Sequence, residues 1–244
     1  MHLYTKSELE HIQDKSWQLD AYRAFHEKFI NKTYKFPCIP ATQGYQLDQL
    51  RFVFLPSPLN SETSSYLAEL LEHYGKKAKK IGDYTSLVLF LERTKKEEGL
   101  SVTAYEDWFW NLLQEVHEID STPWPEEIPQ DPHDPLWEYC FNGERYFLFC
   151  ATPSHEKRQS RYFPFMMLAI TPRWVFQTFL EKPGAGKIKG QIRERLTKYD
   201  AVAPHPDLNV YGSDDNYEYK QYFLRDDQSS SRKCPFHVKK HPKS

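Results

Sequence analysis

The sequence predicts an α+β fold: a mixed, mostly antiparallel sheet with helices packed on it, in a single domain. Three observations point there. Asn142-Gly143 sits between two aromatic runs and is the strongest short hairpin signal, because both central residues of a type I′ turn need φ > 0. Largely apolar runs of strand length recur at 50–55, 85–91 and 165–170. Amphipathic helical stretches separate them, and the first strand–helix–strand can form a right-handed crossover. A chain of 244 residues fits one large domain or two small ones.

In chain order, residues 1–35 read as a helical lead-in with an apolar stripe through Trp17, Tyr22, Phe25 and Phe29. Phe36-Pro37-Cys38-Ile39-Pro40 reads as a loop. The strand at 50–55 is halted by Pro56 and Pro58. Asn60 or Ser61 then caps a helix running through His73, with Leu67, Leu70, Leu71 and Tyr74 on one face and Gly75 as its C-terminal glycine. The run at 85–91 is apolar throughout, so it is expected to be covered on both faces. Thr103 and Glu106 have capping-box spacing ahead of a helix carrying Trp108, Leu112, Leu113 and Val116. Residues 121–135 hold five prolines in fifteen residues, too stiff for helix or central strand. An ordered wrap that buries Trp124 and Ile128 is preferred over a linker.

The hairpin follows: one strand over 137–141, the return over 145–151, and a stop at Thr152-Pro153, since proline has no N–H. With a two-residue turn Cys140 pairs with Arg145 and lies on the opposite face from Cys150, so those thiols do not bond to each other. After the strand at 165–170, Thr171 and Pro172 read as N-cap and first helical residue. A charged helix spans 188–199, and 200–225 is rich in Pro and Tyr.

Composition excludes several classes. Lys+Arg 32 against Asp+Glu 34 leaves a net charge of −2, so no strong field favours nucleic acid or an anionic membrane. The Lys76–Lys80 cluster reads as a solvated helix end. No run approaches the ~20 apolar residues of a membrane helix, and the N-terminus lacks the apolar region of a signal peptide; a cytoplasmic location is expected. Of Cys38, Cys140, Cys150 and Cys234 none forms a C-x-x-C pair, and reduced, mostly buried thiols are the default. Aromatic content of 16% supplies core filling and also wall material for flat ligands.

The chemistry-bearing candidate is the loop after the hairpin. It places His155 just past a strand end, with Arg158 and Arg161 three apart and able to share a face. The functional reading is a histidine ligand beside a clamp for an anionic group. Ion pairing of the arginines with Glu138 or Glu156 is the competing reading. His2, His11, His26, His73 and His241 read as surface or satisfied core. His205-Pro206-Asp207 with His237 could mimic a two-His-one-carboxylate iron site. Gly184-Ala185-Gly186-Lys187 lacks the spacing of a phosphate loop, and no G-x-S-x-G, H-E-x-x-H or G-x-G-x-x-G occurs.

Several long pieces, in order, resemble the YqcI/YcgG family: F-P-C at 36–38, D-W-F-W-N-L-L at 107–113, D-S-T-P-W-P at 120–125, D-P-L-W-E-Y-C-F-N-G at 134–143, T-P-S-H-E-K-R-Q-S-R at 152–161, Y-D…H-P-D-L-N-V-Y-G over 199–212 and C-P-F at 234–236. The chain departs from the family pattern at Asn209-Val210, where a glycine is more usual. The resemblance covers 36–236, leaving 1–35 as lead-in and 237–244 as a flexible tail. Members placed in biosynthetic pathways are haem-dependent N-oxygenases of arginine or arginine-like compounds. The resemblance therefore implies non-covalent haem b, a small-molecule substrate, O2 and an electron donor, with a homodimer left open. His155 is then the expected haem-iron ligand and Arg158 and Arg161 the propionate partners, with Cys38 and Cys234 as rival thiolate ligands. A guanidinium substrate needs a carboxylate partner, for which Asp120, Asp134 and Glu138 are candidates, and Trp124 or Trp137 could stack on the cation. The alternatives are a non-haem iron enzyme and a non-enzymatic protein that binds haem or another small ligand.

Overall fold

Strand-forming sequence and hydrogen bonding agree on a five-stranded sheet. The computed structural model describes residues 2–12, 16–211 and 213–239. Gly212, His241 and the 240–244 part of the expected tail lie outside the described residues. The strands are β1 (Leu50–Leu55), β2 (Ser86–Leu91), β3 (Tyr139–Phe141), β4 (Glu144–Ala151) and β5 (Met167–Pro172), in the order β1-β2-β5-β4-β3. β1 pairs with β2 in parallel, Leu50 opposite Ser86 through Leu55 opposite Leu91, and the other pairings are antiparallel. The fold is the expected α+β single domain with a mixed, mostly antiparallel sheet.

Alternation along the strands divides the apolar residues between two cores. One face of the sheet presents Val53, Leu87, Leu89, Leu148, Leu168 and Ile170 to α4 (Thr63–Ile81) and α5 (Val102–Ile119). The other presents Leu50, Phe52, Val88, Phe90 and Met167 to α1 (Lys6–His11), α2 (Trp17–Ile30) and α3 (Ile39–Gln46). β2 is central, and all six of its residues are buried, which accounts for its unbroken apolar run. Each fully buried Leu or Phe contributes about 1.5–3 kcal/mol of transfer free energy. Three shorter helices complete the chain: α6 (Arg173–Glu181), α7 (Ala185–Tyr199) and α8 (Glu218–Tyr222).

The hairpin is built as its sequence dictates. Asn142 and Gly143 take φ of 51° and 73°, and Cys140 lies opposite Arg145. All four cysteines are free. Trp124 and Ile128 are buried, the indole Nε1 donating to the Ile128 carbonyl at 2.9 Å. The proline-rich segment is thus an ordered wrap.

Helix boundaries differ from expectation in several places, α7 among them, which starts at Ala185 and not at 188. Cys38 stands at the N-cap of α3, where a loop is expected. α4 begins at Thr63 and passes through Gly75, ending only at Gly82 with φ 144°; Lys76, Lys77, Lys79 and Lys80 are exposed on its final turns. α5 is capped by Ser101, whose hydroxyl accepts from the Ala104 amide at 3.1 Å, while Glu106 accepts from Arg225 Nε at 2.7 Å. Thr171 stays in β5 opposite Phe147, and α6 starts after Pro172. At α5 and α6 a tertiary partner outweighs the local signal: Arg225 takes Glu106, and Thr171 stays paired opposite Phe147.

β3 is short, so the upper edge of β4 is covered by α8 and the chain after it. Tyr222 Oη donates to the Tyr146 carbonyl (3.0 Å) and accepts from the Tyr139 amide (3.2 Å). This places the segment 221–227 against the loop 152–162.

Candidate functional site

His155, Arg158 and Arg161 are brought together, and each is committed to the chain itself. His155 is 1% exposed. Its Nε2 lies 2.8 Å from the Leu224 carbonyl and its Nδ1 2.8 Å from Thr152 Oγ1. A carbonyl can only accept, so Nε2 carries the proton and Nδ1 accepts from the threonine hydroxyl. Burial pushes the imidazole pKa down to about 4. Arg158 donates to the carbonyls of Arg225 (2.7 Å), Ala203 (3.1 Å) and Asp227 (2.9 Å). Arg161 donates to Cys150 (3.2 Å), Tyr222 (2.8 Å) and Gln221 (2.9 Å) carbonyls, and its guanidinium lies 4.0 Å from the centre of the Phe149 ring. Burial lowers its pKa to about 9. The Asp226 carboxylate accepts the amides of Glu156, Lys157 and Arg158. Neither arginine pairs with Glu138 or Glu156. The loop is a clasp that fastens the chain after α8.

The acidic and aromatic candidates for substrate binding are dispersed. Asp120 accepts the Thr122 amide (2.8 Å) and the Asn142 amide (2.7 Å), bracing the hairpin turn. Asp134 accepts the Leu136 amide at 2.8 Å. Glu138 is buried between Arg173 (2.9 Å) and Arg145 (3.6 Å), and Arg173 also meets Glu218 at 2.9 Å. Desolvation raises the pKa of both glutamates, partly opposed by Arg173. Trp124 and Trp137 stack on each other, centroids 6.3 Å apart, inside the α4/α5 core. His205 Nδ1 lies 3.3 Å from Asp207, but His237 sits against α5, its amide bonded to Gln114. Among the described residues no group of three His, Cys, Asp or Glu side chains could hold a metal ion. Cys234 is buried with Phe236 in the α4/α5 core.

A cavity does exist, and it lies on the opposite face of the sheet. α2 and α3 cover part of that face and α6 another part, leaving a cleft between them. Its non-atom space is about 860 Å³, some of it open to solvent. Val88, Phe149, Ala169 and Thr171 form the floor, Phe25 and Phe29 one wall, and Phe176 and Phe179 the other. No lining side chain is charged. Cys38 enters from the start of α3. Burial raises its thiol pKa, and a hydrogen bond from the Ala41 amide opposes that shift. The polar lining is confined to Tyr84, Thr85, Ser86 and Thr171. Of the candidate site residues read from the sequence only Cys38, one of the two rival ligands, lies here. The signal that could have found the cleft is parity. Ser86, Ala169 and Thr171 are small or hydroxylated residues on one face of strands whose other face is bulky and apolar.

Lys28 ties the two regions. Its Nζ donates to the carbonyls of Gln159 (2.7 Å) and Tyr162 (2.6 Å) and lies over the rings of Phe36 and Tyr199. Burial lowers its pKa to about 8.

Fold and cleft together define an α+β protein with an uncharged, aromatic-walled cleft. The chain belongs to the YqcI/YcgG family, which matches residues 25–237. It is similar to YqcI of Bacillus subtilis (strain 168), named as an uncharacterized protein, at 46% identity over 238 residues, 96% of this chain and 94% of the relative. YcgG of the same organism, also named as uncharacterized, is 44% identical over the same shares. At 28% identity over 228 residues, 90% of this chain and 84% of the relative, it is similar to DcsA of Streptomyces lavendulae, named as a putative N(omega)-hydroxy-L-arginine synthase. No solved structure matches the chain. Among the described residues no helix is long and apolar enough to cross a membrane.

Proposed function

We propose that the protein is an N-oxygenase that hydroxylates a guanidine or amine nitrogen of arginine or an arginine-like small molecule, with haem b held non-covalently in the cleft. The observation that carries this reading is the aromatic-walled, uncharged cleft, in a chain similar over most of its length to a protein named for arginine N-hydroxylation. We place the iron ligand at Cys38 and not at His155. Cys38 faces the cleft from the start of α3. His155 has both nitrogens bonded within the fold and would have to give up the Leu224 carbonyl to bind iron. Flat aromatic walls suit a porphyrin, and Arg158 and Arg161 then serve the clasp and not the propionates.

Haem held there would supply the activation of O2. One oxygen atom enters the N–H bond, and the other leaves as water with two protons and two electrons from an external donor. The chain's own part is to exclude water with the phenylalanine walls and to hold the sulfur at a fixed helix start.

The test is an absorption spectrum of protein expressed with a haem precursor, before and after dithionite and carbon monoxide. We expect a Soret band in the wild type and in His155→Asn, and its loss in Cys38→Ala. A carbon monoxide complex of histidine type that vanishes in His155→Asn would return the ligand to His155. Absence of any Soret band after added hemin would overturn the haem reading.

A further inference from the structure

Behind one wall of the cleft lies a hydrogen-bonded trio that haem and substrate binding do not use. Tyr45, on α3, is 2% exposed. Its ring meets those of Phe25 and Phe29 edge-on, with centroids 5.7 Å and 5.5 Å away, and both phenylalanines line the cleft. One layer of phenyl rings therefore separates the Tyr45 ring from the cleft. The Tyr45 hydroxyl lies 2.5 Å from His26 Nδ1 and 3.2 Å from Tyr22 Oη. A phenol has one proton. We assign it to the shorter contact, with His26 protonated at Nε2, so that Tyr45 donates and Nδ1 accepts. Burial pushes the Tyr45 pKa up, and Tyr22, Glu10 and Asp48 add to that shift, so the side chain is a phenol and not a phenolate. Lys6 Nζ stands 5.1 Å from the centre of its ring, where a positive charge on the ring would be repelled. Loss of an electron from Tyr45 must then go with loss of its proton. His26 can take that proton: its side chain is 33% exposed, and Glu10 Oε1 lies 3.9 Å from Nδ1 to balance an imidazolium. Tyr84 also lines the cleft, but its hydroxyl sits against the Lys182 ammonium at 3.2 Å, a donor that cannot accept a proton.

We propose that Tyr45 is a redox-active tyrosine, and that, on the haem reading above, it discharges an oxidising equivalent that arises in the cleft when no substrate is bound. The oxidant is haem that has reacted with a peroxide. Tyr45 passes one electron to it across Phe25 and Phe29, and passes the phenolic proton to His26 Nδ1. The O–H bond breaks and an N–H bond forms. The products are a neutral phenoxyl radical, an imidazolium and a cofactor reduced by one electron. An external one-electron reductant of the ascorbate class returns the electron, and His26 returns the proton. The sulfur atoms of Cys38 and Met167, both in the cleft lining, are what the relay spares from oxidation.

Electron paramagnetic resonance on the full chain tests this in two arms. In one, hemin-loaded protein is mixed with hydrogen peroxide in the absence of substrate and frozen. In the other, the haem-free chain is oxidised by a light flash with tris(bipyridine)ruthenium and persulfate. A long-lived tyrosyl signal is expected in both. It should be lost in Tyr45→Phe and kept in Tyr84→Phe. It should fall several-fold in His26→Gln, which can accept the hydrogen bond but not the proton. Mass spectrometry of the peroxide arm should find several-fold more oxidised Cys38 and Met167 in Tyr45→Phe than in the wild type. Thermal melting checks each variant, and His26→Gln carries the test if Tyr45→Phe does not fold. Identical signals in the wild type and Tyr45→Phe overturn the proposal, as does a signal lost in Tyr84→Phe instead or an undiminished one in His26→Gln. Hemin uptake without a Tyr45 signal overturns it too and leaves the haem reading standing. A Tyr45 signal after the flash in a chain that takes up no hemin upholds the redox role of the tyrosine and sinks the haem reading alone.

Discussion

His155 holds its loop through both ring nitrogens, and that fixes its response to pH. In the neutral form Nε2–H meets the Leu224 carbonyl and Nδ1 accepts from Thr152. Protonation would turn both nitrogens into donors and place a cation near Arg158 and Arg161. The folded pKa is depressed from 6.5 to about 4, so the unfolded chain binds the proton first. Stability is then full above pH 6.5 and falls as the pH drops from about 6.5 to about 4, by about 3 kcal/mol if the shift is fully expressed. Urea midpoints of the wild type should decline between pH 7 and pH 5, and His155→Asn should flatten that decline. Equal slopes in both proteins would show that other groups carry the effect. The grouping of His155, Arg158 and Arg161 is legible in the sequence, because the hairpin and Thr152-Pro153 define where the loop starts. Their partners are not legible. Apart from the Thr152 hydroxyl and the Cys150 carbonyl, they are main-chain carbonyls at 203 and over 221–227, and every residue carries a carbonyl.

At the scale of one element, α3 shows how a helix can hide. Its sequence, I-P-A-T-Q-G-Y-Q, holds a proline and a glycine, the two poorest helix formers. Pro40 falls in the first turn, where its missing N–H would have had no helical partner. Gly44 lies where the helix meets the chain before β2: a Cβ there would stand 2.4 Å from the Tyr84 carbonyl. Both residues that argue against a helix are thus explained by its first turn and by its packing. Gly44→Ala must push α3 off Tyr84, at a cost of about 1–3 kcal/mol for overpacking. Because α3 carries Cys38 into the cleft, the variant should also lose ligand uptake more than its melting temperature alone implies. Hemin titration at a temperature where the variant is fully folded measures this; wild-type uptake there would separate α3 from the site. The strands and the hairpin were more legible than the helices, since apolar runs and the Asn142-Gly143 turn are set by local chemistry. The helix start at Ser101 answers to a tertiary contact, Glu106 with Arg225.

For the whole molecule, the sheet has two faces of unequal completeness. The α4/α5 face is filled, and the chain invests most of its buried tryptophan and leucine there. On the other face α2 and α3 pack on each other through Tyr22, Phe25 and Tyr45, and the cleft lies between them and α6. Composition gave no hint of this difference, because the phenylalanines of a wall and of a core are the same residues. β5 makes the contrast testable, since Leu168 and Ala169 are neighbours that point to opposite faces. Leu168 is fully buried in the filled core, and Leu168→Ala should leave a cavity costing about 2–5 kcal/mol. Ala169 lies on the cleft floor, opposite Val88 on β2 and Phe149 on β4. Ala169→Phe adds a ring where there is space for one, so it should cost less than the about 1–3 kcal/mol of overpacking a tight core while occupying the volume a ligand would use. The expected pair of results is a melting temperature near that of the wild type with hemin and arginine binding lost in Ala169→Phe, against a lowered melting temperature with binding retained in folded Leu168→Ala. If Ala169→Phe instead destabilises as strongly as Leu168→Ala, the second face is packed shut in solution and the cleft cannot be the site.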